Sequence, residues 1–165
     1  MEDCKAAVRY LRANADKYGY KADQITVFGE SAGGYLALMC AVTGDDEFSS
    51  VPFIGQTDSD NPSSKVDVLV DYYGYTDITG LDKDLKSIGL PRIVYTVANY
   101  WMIHGDCDLT ITYLSSVRLY DRLSEVIGQD GIHFRHEPDM GHASDPLYSD
   151  EILSEIDDFI RGDLS

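Results

Sequence analysis

No stretch of this chain holds the roughly 20 consecutive apolar residues that a membrane-crossing helix needs, so a helical span is excluded on length alone. Basic residues are scarce as well. Thirteen lysines and arginines against twenty-nine aspartates and glutamates leave a net charge of -16, which repels phosphate backbones and anionic membranes. Nucleic acid is therefore not an expected partner, and the excess acid reads as a solvated surface. The three cysteines, Cys4, Cys40 and Cys107, are an odd number without paired metal spacing, which favours reduced thiols over a disulfide framework. No secretory pattern opens the sequence, and this favours the cytoplasm. Neither an internal repeat nor a linker interrupts the chain, so its 165 residues, 44% of them hydrophobic, are expected to form one soluble domain with a real core.

What is present alternates between strand and helix patterns. Cys4, Ala7, Val8 and Leu11 recur at helical spacing behind the acidic Glu2 and Asp3, and that helix is expected to end near Gly19. Ile25 to Phe28 reads as a strand, and Ala32 to Val42 as a helix free of breakers after Gly34. Residues 43–65 are rich in Gly, Pro, Ser and Asp and predict a long surface loop. Its Asp58, Asp60 and Asn61 lack the spaced ligands and closing glutamate of a calcium loop, so no metal is expected there. Val66 to Tyr73 is a strand apolar enough to be buried on both faces. Past a variable stretch to about Asn99 come a strand at Tyr100 to His104, a helix from Leu114 to Gly128, and a strand at Ile132 to His136. A final helix is capped by Ser149 and carries Ile152, Ile156, Phe159 and Ile160 on one face. The expected fold class is α/β, a mostly parallel sheet of about four strands flanked by helices, with chemistry beyond the carboxyl ends of the strands.

One short segment predicts that chemistry. Gly29-Glu30-Ser31-Ala32-Gly33 places a serine between a strand and a helix with glycines on both sides, the pattern of a nucleophile elbow. Glycine at Gly29 and Gly33 removes side chains that would collide where the chain reverses, and the first helical amide, Ala32 N–H, faces a developing oxyanion. A hydroxyl needs an imidazole to take its proton, and the imidazole needs a carboxylate to hold its tautomer. Four histidines are available. His104 ends a strand, where a structural hydrogen bond is the expected role, and His133 and His136 lie along the last strand. His142 follows that strand in a glycine-containing loop and is the expected general base. For the acid, Asp106 and Asp108 follow the third strand while Asp71 and Asp77 stand near the end of the second; Asp108, later in its turn, is favoured, with Asp106 bracing the loop.

The segments FGESAGGYLAL, WMIHGDCDLT and MGHA together resemble the α/β-hydrolase superfamily, closest to its bacterial esterase and lipase branch of hormone-sensitive-lipase-like and feruloyl or acetyl-xylan esterases. The resemblance spans nearly the whole chain. It implies Ser31, Asp108 and His142 as nucleophile, acid and base, a small-molecule ester as substrate, and no cofactor or metal. Ala32 after the serine matches the esterase branch, whereas prolyl-oligopeptidase-like peptidases usually carry tyrosine there; peptidase activity is the lesser alternative, and a non-catalytic fragment used for binding or assembly is another.

The resemblance also implies strands and an H-G-G-G-like oxyanion loop ahead of the first helix, so the chain is expected to correspond to the C-terminal half of such a hydrolase and to hydrolyse esters weakly. A first strand without its usual neighbour offers an open edge, and a homo-oligomer joined there is expected. Light scattering giving a clean monomer at high concentration would count against it. Tyr72, Tyr73 and Tyr75 are expected to pack with their hydroxyls at the surface, with lining of an acyl or aryl pocket as the alternative reading.

Overall fold

The computed structural model describes residues 1–57, 62–76, 78–90 and 99–162. The chain runs α1 (Glu2–Ala13), α2 (Ala15–Tyr18), β1 (Thr26–Glu30), α3 (Ala32–Ala41), β2 (Val68–Tyr72), α4 (Ile78–Ser87), β3 (Asn99–Gly105), α5 (Tyr113–Ile127), β4 (Ile132–Glu137) and α6 (Asp150–Arg161), with short 3-10 turns before β4 and α6. All strand pairs are parallel, in the order β1-β2-β3-β4. The α/β class and the four-stranded parallel sheet are therefore as the alternation of patterns predicts. Among the described residues no helix is long and apolar enough to cross a membrane. Asp58, Asp60, Asn61 and Asp77 lie outside the described residues.

A sheet that grows in one direction through right-handed crossovers puts its connecting helices on one face. Here Ala37, Leu38 and Ala41 of α3, Leu81 and Leu85 of α4, and Leu119 and Leu123 of α5 share one core with Leu69, Tyr100 and Met102 of the sheet. Val8 of α1 joins them. The opposite face, carrying Val70, Tyr72, Trp101 and Ile103, is covered by Ile152 and Ile156 of α6. Coverage on both faces explains why β2 and β3 read as continuous apolar runs. β1 and β4 form the edges, and Phe28 on β1 remains 48% exposed.

Two helices depart from expectation. α1 does not bury a stripe of Cys4, Ala7, Val8 and Leu11: its buried residues are Lys5, Ala6, Val8 and Arg9, and Leu11 is exposed. The reason is polar. Lys5 Nζ donates to Thr43 O (3.1 Å) and Gly44 O (2.9 Å), carbonyls just beyond α3, while Arg9 Nη2 donates to Val51 O (2.6 Å). A cation among the carbonyls that end a helix satisfies acceptors with no partner inside it. Burial lowers the Lys5 ammonium below its ordinary pKa, and the nearby Asp45 and Glu47 carboxylates act in the opposite direction. The helix also breaks at Asn14 and restarts, ending at a left-handed Gly19 (φ 72°). The second departure is α4, which occupies part of the stretch read only as variable and seats Leu81 and Leu85 in the core.

The last helix follows the sequence closely. Ser149 Oγ accepts from Ile152 N–H (3.4 Å), Asp150 and Glu151 occupy the positive first turn, and Arg161 the last.

Candidate active site

All four strands end at one rim, and each contributes. β1 extends to Glu30, two residues past the expected end, because its register runs on through Gly29 opposite Asp71 and Glu30 opposite Tyr72. The chain then reverses at Ser31 with φ 53° and ψ -119°, a conformation costly for a residue bearing a Cβ. Hydrogen bonds on both sides hold it: Ser31 N–H donates to Tyr72 O (3.0 Å), while Gly34 N–H (3.1 Å) and Tyr75 N–H (3.0 Å) donate to Ser31 O. A Cβ added at Gly29 would lie 2.2 Å from Gly33 O, and one at Gly34 would lie 2.4 Å from Asp71 Oδ1. At Gly33 an added Cβ would meet nothing within 4 Å, so the crowding expected there falls on Gly34 instead.

The Ser31 hydroxyl lies 3.1 Å from His142 Nε2, and His142 Nδ1 lies 2.7 Å from Asp108 Oδ2. These three side chains, separated by up to 111 residues in the chain, form one continuous hydrogen-bonded series. Asp108 is itself held firmly. Its Oδ1 accepts from Thr110 N–H and Ile111 N–H, both at 2.8 Å. Burial pushes its carboxyl upward, but the Ile111 amide, the His142 ring and the Thr110 amide outweigh that effect and hold it below the ordinary carboxylate value.

The loop carrying His142 is braced from the third strand. Asp106 Oδ1 accepts from Asp139 N–H (2.8 Å), Asp106 Oδ2 pairs with His136 Nε2 (3.0 Å), and Cys107 N–H donates to Met140 O (3.0 Å). Gly105 lets Met140 approach so closely that a Cβ there would sit 2.2 Å from the Met140 carbonyl oxygen. The other acid and imidazole candidates are placed elsewhere. Asp71 is buried within β2; His133 stacks on Trp101 (6.0 Å, 11°) and pairs with Glu155 (2.7 Å); His104 is fully buried beneath the Asp108 turn.

The family model described as BD-FAE matches residues 1–97. The chain belongs to the BD-FAE family. That match contains Ser31 and ends before Asp108 and His142. This BD-FAE chain is also 35% identical to Esterase LipC of Mycobacterium tuberculosis (strain ATCC 25618 / H37Rv), over 88% of the chain and 41% of LipC. To Probable carboxylic ester hydrolase LipM of the same organism it is 30% identical, over 55% of the chain and 20% of LipM. It thus spans less than half the length of these relatives. Among solved structures, a truncated form of a carbohydrate esterase from gut microbiota matches with a TM-score of 0.72 at 23% identity, covering 99% of this chain and 67% of that one. An alpha/beta hydrolase enzyme from a Medee basin deep-sea metagenome library, MGS-M1, matches with a TM-score of 0.66 at 18% identity, covering 98% and 63%. At these identities the two structures establish the fold.

In this BD-FAE chain one of the tyrosines expected to hold its hydroxyl at the surface, Tyr73, is instead buried at the rim. Tyr73, at φ 40°, sets its ring edge against His142 with centroids 4.7 Å apart and its hydroxyl against Glu30 Oε2 (3.1 Å) and the Tyr148 hydroxyl. Burial first, then the Tyr148 hydroxyl, raises its pKa, so it stays a neutral phenol beside the imidazole. Its neighbours take other roles: Tyr72 is buried among Phe28, Trp101 and Tyr148, and Tyr75 is exposed. The available signal was Glu30 itself, a carboxylate directly preceding the serine.

Proposed function

We propose that this chain hydrolyses carboxylic esters through an acyl-enzyme. The Ser31 hydroxyl attacks the ester carbonyl as His142 Nε2 takes its proton, and Asp108 holds the imidazole in the Nδ1–H tautomer and stabilises the imidazolium. Collapse of the tetrahedral adduct returns that proton to the departing alkoxide. Water, activated by the same imidazole, then frees the acid and restores Ser31. The developing oxyanion is met by the N–H of Ala32 at the start of α3, one of the amides that a helix N-terminus leaves without an intrahelical partner. No step requires a metal or cofactor.

The observation that carries this reading is the unbroken run of contacts from Ser31 Oγ through His142 to Asp108 Oδ2. Membership of the BD-FAE family and the likeness to LipC and LipM support ester over amide substrates. A fluorophosphonate probe tests it, because covalent capture demands an activated hydroxyl. Modification confined to Ser31, located by peptide mass spectrometry, is the expected result; a folded chain that stays unmodified at excess probe would refute the proposal.

A further inference from the structure

We infer that His104 is a positioning residue for this reaction, acting through Asp108 to hold its carboxylate against His142. The inference rests on the ester-hydrolase reading of the same site.

His104 is the penultimate residue of β3 and is wholly buried. Its Nδ1 lies 2.6 Å from Ser116 Oγ on α5, and its Nε2 lies 3.0 Å from Ile111 O. A carbonyl oxygen can only accept, so Nε2 carries the proton and the Ser116 hydroxyl donates to Nδ1. Burial lowers the pKa of the ring, in keeping with this neutral, single-tautomer state. The other groups facing it are Asp108 from the turn after β3, His142 from the loop after β4, and the Tyr113 ring of α5, edge-on at 5.9 Å.

The decisive contact is the second one made by Nε2, which also lies 3.2 Å from Asp108 Oδ2. That is the oxygen His142 uses, at 2.7 Å. A closed circuit results: His104 donates to the Ile111 carbonyl, Ile111 N–H donates to Asp108 Oδ1 (2.8 Å), and Oδ2 turns back to the His104 ring. Rotating the Asp108 carboxylate away from His142 would break contacts at both of its oxygens. Ser116 and Ile111 alone would satisfy a purely structural histidine. Sharing the carboxylate oxygen with His142 is what ties His104 to proton transfer.

Three variants and two readouts test this. In His104→Leu the ring nitrogen 3.2 Å from Oδ2 is gone, whereas in His104→Gln the amide nitrogen reaches toward the same oxygen. Leu119→Ala, a core truncation on α5, controls for lost stability. The readouts are the rate of fluorophosphonate labelling at Ser31 and the low-field proton NMR signal of the His142 Nδ1–H hydrogen bond. His104→Leu is expected to slow labelling about tenfold or more, as misplacement of a reacting group does, and to broaden the low-field signal by exchange with water. His104→Gln should restore most of both, and Leu119→Ala should leave the signal in place. If the leucine variant fails to fold, His104→Asn, which keeps the Ser116 contact but falls short of Asp108, takes its place. A folded His104→Leu with unchanged labelling and signal overturns the inference, as does Leu119→Ala moving both to the same extent. Failure of the wild-type chain to label at all would instead remove the ester-hydrolase reading, and the low-field signal would still decide what His104 does to Asp108.

Discussion

Replacing Asp108 by asparagine is expected to slow ester hydrolysis and phosphonate labelling by about 10⁴, the scale seen when a triad carboxylate becomes an amide, while leaving the chain folded. The surrounding hydrogen bonds dictate the outcome. Two backbone N–H groups, from Thr110 and Ile111, donate to Oδ1, so that place must hold an oxygen. The asparagine must therefore turn its NH₂ to the place of Oδ2, facing His142 Nδ1. A donor at that place forces the imidazole proton onto Nε2, where it points at Ser31 and cannot receive the hydroxyl proton. Labelling kinetics on a variant whose folding is verified by circular dichroism check this, and a loss smaller than tenfold would contradict the proposed role. The same carboxyl also bears on acid stability. Its folded pKa lies below the unfolded value, so its contribution is fully present above about pH 4 and is lost as pH falls through the lower folded value.

Much of the candidate site's geometry was legible in the sequence because its signals are local. A serine ringed by glycines between an apolar strand and a helix, an H-G-x-x-D after a strand and a G-H in the next loop each describe a short turn, and parallel topology carries all of them to one rim. What the sequence did not disclose depends on distant partners. Lys5 and Arg9 interrupt the apolar periodicity of α1, yet they are buried because carbonyls at residues 43, 44 and 51 receive their head groups. In α4, among the described residues, Leu81 and Leu85 mark the buried side, too few to distinguish a short helix containing Gly80 from a loop. β1 runs on through Gly29 and Glu30, poor strand formers, because Asp71 and Tyr72 pair with them. The contacts of His104 and Tyr73 depend on how two loops fold over one another, which no spacing encodes.

Asp71 should make the folded state less stable as pH rises, and Asp71→Asn should remove that dependence. The side chain sits on β2, an inner strand, fully buried, with Tyr100 Oη donating to Oδ2 (2.9 Å) and with Gly34 and Gly74 packed so closely that a Cβ at either would lie within 2.4 Å of Oδ1. Burial pushes its pKa up to about 6; the Tyr100 hydroxyl and the Gly74 backbone offset only part of that. The folded value therefore lies above the unfolded one, near 4, and the folded chain retains a proton that the unfolded chain releases. Stability contributed by this group is present below about pH 4, falls between about pH 4 and 6, and is gone above, a loss on the order of 3 kcal/mol. Asparagine stays neutral throughout: its carbonyl can face the Gly74 amide while its NH₂ donates to Tyr100, whose hydroxyl turns from donor to acceptor. Urea midpoints for both proteins at pH 4 and pH 7.5 test this, and comparing the two cancels the titration of the many other acids. Near equality at pH 4 and a more stable variant at pH 7.5 are expected; a gap that does not widen with pH would show that the buried carboxyl releases its proton at no cost. The residue opposite Asp71 on the β1 side of the sheet register is Gly29, so that cost is borne directly behind the turn that presents Ser31.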